Sequence, residues 1–288
     1  MDKKRSPWLC FIWQDIRQLL GSAKFYVVVA VVVVGMLTCF GGIRDYLRET
    51  GALINPLELY VVSISNRVSL WIIYVGAVVL VCDAPFRYKG DIVRIVRTSR
   101  KMWLTGQVSF SCICILLYQA ILLAFFFLLT VGHWNFSPIW SETIVTGMRE
   151  GHARIGIAFG IQFLPELLEL SPLATLASSF ILQFLMGAFS ATVLALTHIK
   201  GNAKVGLVLC AVFPLLDYLL LDAFDFPWCR MLSYVISPFS LSTLLRLRPI
   251  FPNGMTFAYA SLYFSFAILW LLTWMYAKVK SYDFFSVE

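Results

Sequence analysis

The amino-acid sequence predicts an all-α, polytopic membrane protein of about six spans, on three observations. Of its 288 residues, 60% are hydrophobic and only 14% charged, with a mean hydropathy of +0.81. A soluble domain carries roughly a quarter charged residues, and one core cannot bury so much apolar surface. Lipid must therefore solvate much of the chain. The apolar residues collect in runs that match a bilayer crossing, about 20 residues for roughly 30 Å of hydrocarbon. Finally, the basic residues are shared unequally between the segments that join those runs.

The elements form a single transmembrane domain, residues 1–288. An interfacial helix is expected over 6–22. Within it, Trp8, Leu9, Ile12, Trp13, Ile16, Leu19 and Leu20 fall on one arc of about 140°, with Gln14, Asp15, Arg17 and Gln18 opposite. Too short and polar to span, it should lie at the inner interface with its Trp residues at headgroup depth. The charged start Met1–Arg5 resembles that of a signal peptide. However, the apolar run begins only near Phe25 and ends at Phe40-Gly41-Gly42 without a small-residue cleavage site, so the first span reads as retained. The spans are placed at 23–41, 65–82, 104–131, 172–197, 205–222 and 257–277. An outer loop covers 132–171 and an outer segment 223–256. Within the loop, the short apolar piece Ala153–Pro165 reaches only about 20 Å as a helix. It is expected at the interface or folded against the other helices.

Charge sets the orientation. With the N-terminus inside, the inner pieces hold 15 of the 23 Lys and Arg, the outer pieces 8, and every Lys falls inside. The positive-inside rule then puts both termini in the cytoplasm. The net charge of +7 reads as topology, and no nucleic-acid partner is expected. Between spans two and three, Asp91–Trp103 has Ile92, Ile95, Val96 and Trp103 on one face and Arg94, Arg97, Arg100 and Lys101 on the other. The pattern predicts a helix under the membrane, 87–103, with a basic face toward the cytoplasm. That face suits anionic headgroups, at about 1 kcal/mol per charge, and equally a cytoplasmic partner.

Chemistry-bearing motifs are scarce. No G-x-x-x-x-G-K-[ST], H-E-x-x-H or G-x-S-x-G occurs, and His133, His152 and His198 are scattered. No enzyme, metal site or resident cofactor is expected. Cys10, Cys39, Cys82, Cys112, Cys114, Cys210 and Cys229 show no metal spacing and read as small apolar fillers. Asp217, after Pro214, is essentially the one ionisable residue inside a predicted span. It reads either as an outer-interface residue or as a group in a translocation path or helix-packing hydrogen bond. Span four carries Ser178, Ser179, Gly187, Ser190 and Ala191, which suit close helix packing or a polar stripe along a path. Asp217, Ser178 and Ser190 are the candidate path residues.

This layout resembles the membrane subunit of type-2 (ABC-2) ABC transporters of bacteria, over nearly the whole chain. Arg97-Thr98-Ser99-Arg100-Lys101-Met102-Trp103-Leu104-Thr105-Gly106 resembles the R-x-S-R-x-x-W-x-x-G segment where such permeases leave the coupling helix for span three. Ser237-Pro238-Phe239 through Arg246 is similar to an N-P-L element before the last span, with Ser237 in place of Asn. Asn66-Arg67 and Asp83-Ala84-Pro85-Phe86 also resemble permeases of this kind from Gram-positive anaerobes. The resemblance implies a multi-pass protein of the bacterial plasma membrane that works with a second permease subunit and two cytoplasmic ATPase subunits. ATP and Mg would be held by the ATPases. It further implies that Arg94, Arg97, Arg100 and Lys101 dock the ATPase, with Trp103 anchoring that helix to the membrane. The aromatic content of 16% and the scarcity of buried charge point to a hydrophobic or amphipathic export substrate such as a peptide, drug or lipid-like molecule. The alternative is a non-transporting membrane scaffold, sensor or immunity protein.

Overall fold

The computed structural model describes residues 7–85, 99–158, 170–223, 226–244, 247 and 254–279. Among these the chain is all-helical and contains no strand; two isolated bridges, Ile54 with Trp134 and Leu247 with Met255, are the only extended pairings. Expected positions 86–98, with Arg94 and Arg97, and 159–165 of the short apolar piece lie outside the described residues.

Local chemistry sets where the helices begin. Ser22, Asn66, Ser99, Ser171 and Thr256 each accept a backbone N–H from the first turn of α2 (Ala23–Phe40), α5 (Arg67–Val81), α6 (Arg100–Leu129), α8 (Pro172–Ile199) and α12 (Phe257–Lys278). Such caps satisfy donors that a helix start leaves open. The other elements are α1 (Pro7–Leu20), α3 (Gly42–Thr50), α4 (Pro56–Ser65), α7 (Glu142–Glu150), α9 (Ala203–Tyr218), α10 (Pro227–Ile236) and α11 (Pro238–Leu241). A π turn, Leu219–Ala223, extends α9.

Five helices are long and apolar enough to cross a membrane: α2, α6, α8, α9 with its extension to Leu221, and α12. A sixth candidate is α4 joined to α5, a pair bent by 92° at Asn66. The bend has a local cause. The Asn66 side chain caps α5 by accepting from Val68 and Ser69 N–H at 2.9 and 3.2 Å, and the Ser69 hydroxyl donates back to the Ser63 carbonyl. Fully buried Tyr60 then ties α4 into the bundle by donating to Gln119 on α6 at 2.9 Å.

The bundle is organised around α8. Of its most apolar 18 residues, 72% are buried inside the protein, against 11% for α12, so α8 is central and α12 peripheral. Gly187 allows the central approach, since a Cβ there would lie 2.8 Å from Ile115 of α6. Close helix packing therefore accounts for Gly187 among the small residues of this helix.

Side-chain contacts sort the helix termini into two unlike ends. At one, Lys24 pairs with Asp83 at 2.6 Å, Thr105 bonds Tyr276 at 2.6 Å, and the Lys200 ammonium sits 3.4 Å from the Trp274 ring centre. All the described lysines belong to this lysine end: Lys24, Lys101, Lys200, Lys204 and Lys278. The opposite, loop end gathers α3, α4, α7, α10 and α11. There Ile54 exchanges backbone bonds with His133 and Asn135 at 2.9 and 3.0 Å, and Tyr259 and Tyr263 donate to the last carbonyls of α10. Residues 152–158 also fold onto the bundle here: Ile155 and Ile157 are buried, and Ala158 N–H donates to the Cys39 carbonyl at 3.0 Å.

The placement of α1 departs from its sequence pattern. It packs along α6 through Ile12 and Leu19 and also through Asp15, which is only 3% exposed, while Trp13 and Leu20 of the apolar arc are exposed. The fit against α6, not the centre of the hydrophobic arc, selects the inward face. Cys39, Cys114, Cys210 and Cys229 are buried and, like half-buried Cys82 and Cys112, unpaired by disulfides.

Candidate functional site

The most elaborate polar construction runs from the middle of α5 and α9 to the loop end, around Pro214 of α9. Pro214 sits inside α9 and has no N–H, so the Cys210 carbonyl four residues earlier loses its helical donor. Tyr74 of α5 supplies the replacement: its hydroxyl donates to that carbonyl at 3.0 Å and lies 3.3 Å from the Ser190 hydroxyl of α8. Three helices thus meet at one phenol.

Three residues beyond Pro214, Asp217 is 1% exposed. Its Oδ1 accepts hydroxyls from Ser233 at 3.2 Å, Ser237 at 3.2 Å and Ser240. The Ser233 and Ser240 hydroxyls also lie 2.8 Å apart, so with one proton each they share the carboxylate oxygen and each other as alternative acceptors. Ser237 caps α11, accepting from Ser240 N–H at 3.3 Å. Its side chain therefore both starts that helix and ties it to α9. Of the readings open for Asp217, the structure shows it in helix-packing hydrogen bonds, near the loop end and enclosed by protein, with the partners a buried polar group needs.

The same segment is held from two more sides. Phe239, 1% exposed, lies edge-on to Tyr74 at 5.5 Å and to Trp71 at 6.1 Å. Gln183 of α8 donates to the Ser242 carbonyl at 3.0 Å. Helix α10 presents Ser233 inward, while Trp228, Met231 and Ile236 are exposed at 64%, 61% and 47%. A helix with polar contacts inside and an apolar face outside suits lipid as its outer neighbour.

Of the predicted path residues, Ser190 and Asp217 join this region through Tyr74 and the serine cluster. Ser178 does not: it is half-buried on α8, about 18 Å along the helix from Ser190, and makes no side-chain hydrogen bond among the described residues. On the expected docking face, Arg100 and Lys101 are exposed in the first turn of α6, and Trp103, 6% exposed, lies in the protein core. No sequence motif marks Tyr74, Ser233 or Ser240. Ser233, Ser237 and Ser240 at i, i+4 and i+7 form a readable polar face, but nothing local names Asp217 as their acceptor.

A second buried carboxylate, Glu58 at the start of α4, has both oxygens on Ser141: the backbone N–H at 3.1 Å from each, and the hydroxyl at 2.5 Å from Oε2. It fastens the 132–141 loop to α4. Among the described residues no group of three or more His, Cys, Asp or Glu could hold a metal ion. The geometry is that of ties between helices around a proline inside α9 and the π turn that follows it.

Comparison with protein families, curated proteins and solved structures finds no match for this chain.

Proposed function

We propose that the chain is the membrane-spanning permease subunit of an ATP-driven ABC-2 type transporter that exports a hydrophobic or amphipathic molecule. The observation that carries this reading is the division of the bundle into two unlike ends. One bears every described lysine, Lys101 included, together with exposed Arg100; the other bears the end of α9 beyond Pro214 and its serine-tied segment.

In this reading six spans cross the bacterial plasma membrane, with α4 and α5 counted as one bent span and α1 at the inner interface. The lysine end and both termini face the cytoplasm, in keeping with the positive-inside bias. A separate ATPase subunit, holding ATP and Mg, docks on the basic segment that ends in Arg100 and Lys101, with Arg94 and Arg97 contributing. Trp103 would fix the end of that segment in the bundle. Helix α6 is about 45 Å long, so a push at Arg100 would be carried stiffly to the loop end. There Pro214, with its missing helical hydrogen bond, and the π turn offer the compliance that opening toward the outside needs, with Asp217 and Ser190 beside the path. A second permease subunit completes the transporter.

The test is co-purification of the full chain with its cytoplasmic ATPase. Binding should be lost in the Arg97→Glu, Arg100→Glu double variant while that variant still elutes as a folded, monodisperse species. Undiminished ATPase binding removes the docking assignment. No ATPase partner at all, with no ATP-dependent flux in vesicles, favours the scaffold, sensor or immunity alternative.

A further inference from the structure

A groove of about 350 Å³ runs between α2 and α5 at their outward side. Its α2 wall is Val27, Val28, Val31 and Val32; its α5 wall includes Ile72, Val75, Gly76 and Val79. The two walls are single helical stripes, and both continue to the same charged pair. On α2, Lys24 stands three, four, seven and eight residues before the wall valines, on the same face. On α5, the stripe Ile72, Val75–Gly76, Val79 runs on to Asp83, just past the helix end. Lys24 Nζ and Asp83 Oδ2 meet at 2.6 Å, with side chains 31% and 64% exposed. Neither residue lines the groove itself, but the helical register carries both wall stripes toward this one cation and one anion, each partly exposed. From Trp71, at its far end, to Val79 the groove is about 12 Å long, most of the depth of one leaflet at roughly 15 Å.

The geometry points to a bound phospholipid with a zwitterionic headgroup carrying a primary ammonium, a phosphatidylethanolamine. Its phosphate takes the Lys24 ammonium, its own ammonium takes the Asp83 carboxylate, and one acyl chain fills the valine groove. The pairing is specific to that headgroup. A purely anionic lipid meets Lys24 but is repelled by Asp83. A choline head carries the positive charge without an N–H to donate to the carboxylate. The inference rests on the membrane placement of the bundle and is independent of whether the chain transports anything.

The test uses the full chain, delipidated in detergent and incubated with phosphatidylethanolamine, phosphatidylcholine or phosphatidylglycerol, with retained lipid read by native mass spectrometry. Phosphatidylethanolamine is expected to be retained about tenfold over phosphatidylcholine, the size of one charge-assisted hydrogen bond. Asp83→Asn should erase that preference, and Lys24→Gln should weaken retention of all phosphate-bearing lipids. Val31→Trp, at a position 64% exposed and so neutral to the fold, should block the groove and lower retention of every lipid. Equal retention of the three lipids, a preference unchanged by Asp83→Asn, or Val31→Cys cross-linking two copies through the groove overturns the assignment.

Discussion

Replacing Tyr74 by Phe keeps the ring against Phe239 and removes one hydroxyl. The Cys210 carbonyl then loses the donor that stands in for the absent Pro214 N–H, in a place where Cys210 itself is fully buried. Leaving a buried acceptor unmet costs about 1–3 kcal/mol, so Tyr74→Phe should destabilise the chain by about 2 kcal/mol. The cause is isolated by a second background. Pro214→Ala restores an N–H four residues after Cys210, and the helix can then satisfy its own carbonyl. In that background Tyr74→Phe should cost about 1 kcal/mol or less, a coupling of about 1 kcal/mol between residues on different helices. Unfolding in mixed detergent micelles, followed by tryptophan fluorescence, gives the four stabilities. Ser190→Ala controls for the 3.3 Å contact of the same phenol and should leave the coupling intact. Equal costs of Tyr74→Phe in the two backgrounds, within about 0.5 kcal/mol, would refute the substitution of a phenol for the missing amide.

Two further outcomes test the rest of the loop end. Asp217→Asn retains an acceptor for the serine hydroxyls and should cost about 1–2 kcal/mol, whereas Asp217→Leu strands them and should cost roughly 3 kcal/mol or more. Both are readable by thermal unfolding, with earlier proteolysis between 226 and 244 in the leucine variant. A leucine variant as stable as the asparagine one removes the carboxylate from the tie. Gly156→Ala puts a Cβ into the backbone of Gly42 at φ +75°, while Gly132→Ala meets open space at φ +88°. The first should cost at least about 2 kcal/mol more than the second; equal unfolding midpoints would show that the Gly42–Gly156 crossing yields easily.

The candidate spanning helices are legible because each is a long apolar run, preceded in all but α9 by a capping side chain, and a bilayer crossing demands that length. Helix α4 was not. Pro56–Ser65 is ten residues, below the length that marks a span, and its residues are buried by Gln119, Phe180 and Ser141, contacts no local pattern contains. Asp15 shows the limit of periodicity from the other side. Its position beside Gln14 and Arg17 is a polar one by arc, yet packing on α6 buries it. In the candidate site, Pro214 announces an orphan carbonyl at Cys210, which any reader of the sequence can locate. The donor that answers it lies 136 positions away, and only the fold reveals it.

Helix α5 links these observations mechanically. Its start is capped by Asn66, its end is held by Lys24 on Asp83, and its middle receives the Tyr118 hydroxyl on the Ile73 carbonyl at 2.9 Å, which the absence of a Cβ at Gly76 permits. The valine groove occupies one side of this helix, and Tyr74, about 200° round from Ile72, occupies the other. A helix fixed at three levels moves as a rod or not at all. Any displacement of the serine-tied segment relative to α5 parts Phe239 from Tyr74 and Trp71, and it either carries the end of α9 with it or breaks the Asp217 bonds. A lipid at Lys24–Asp83 would stay in place throughout, as ballast for the rod against which α9 bends.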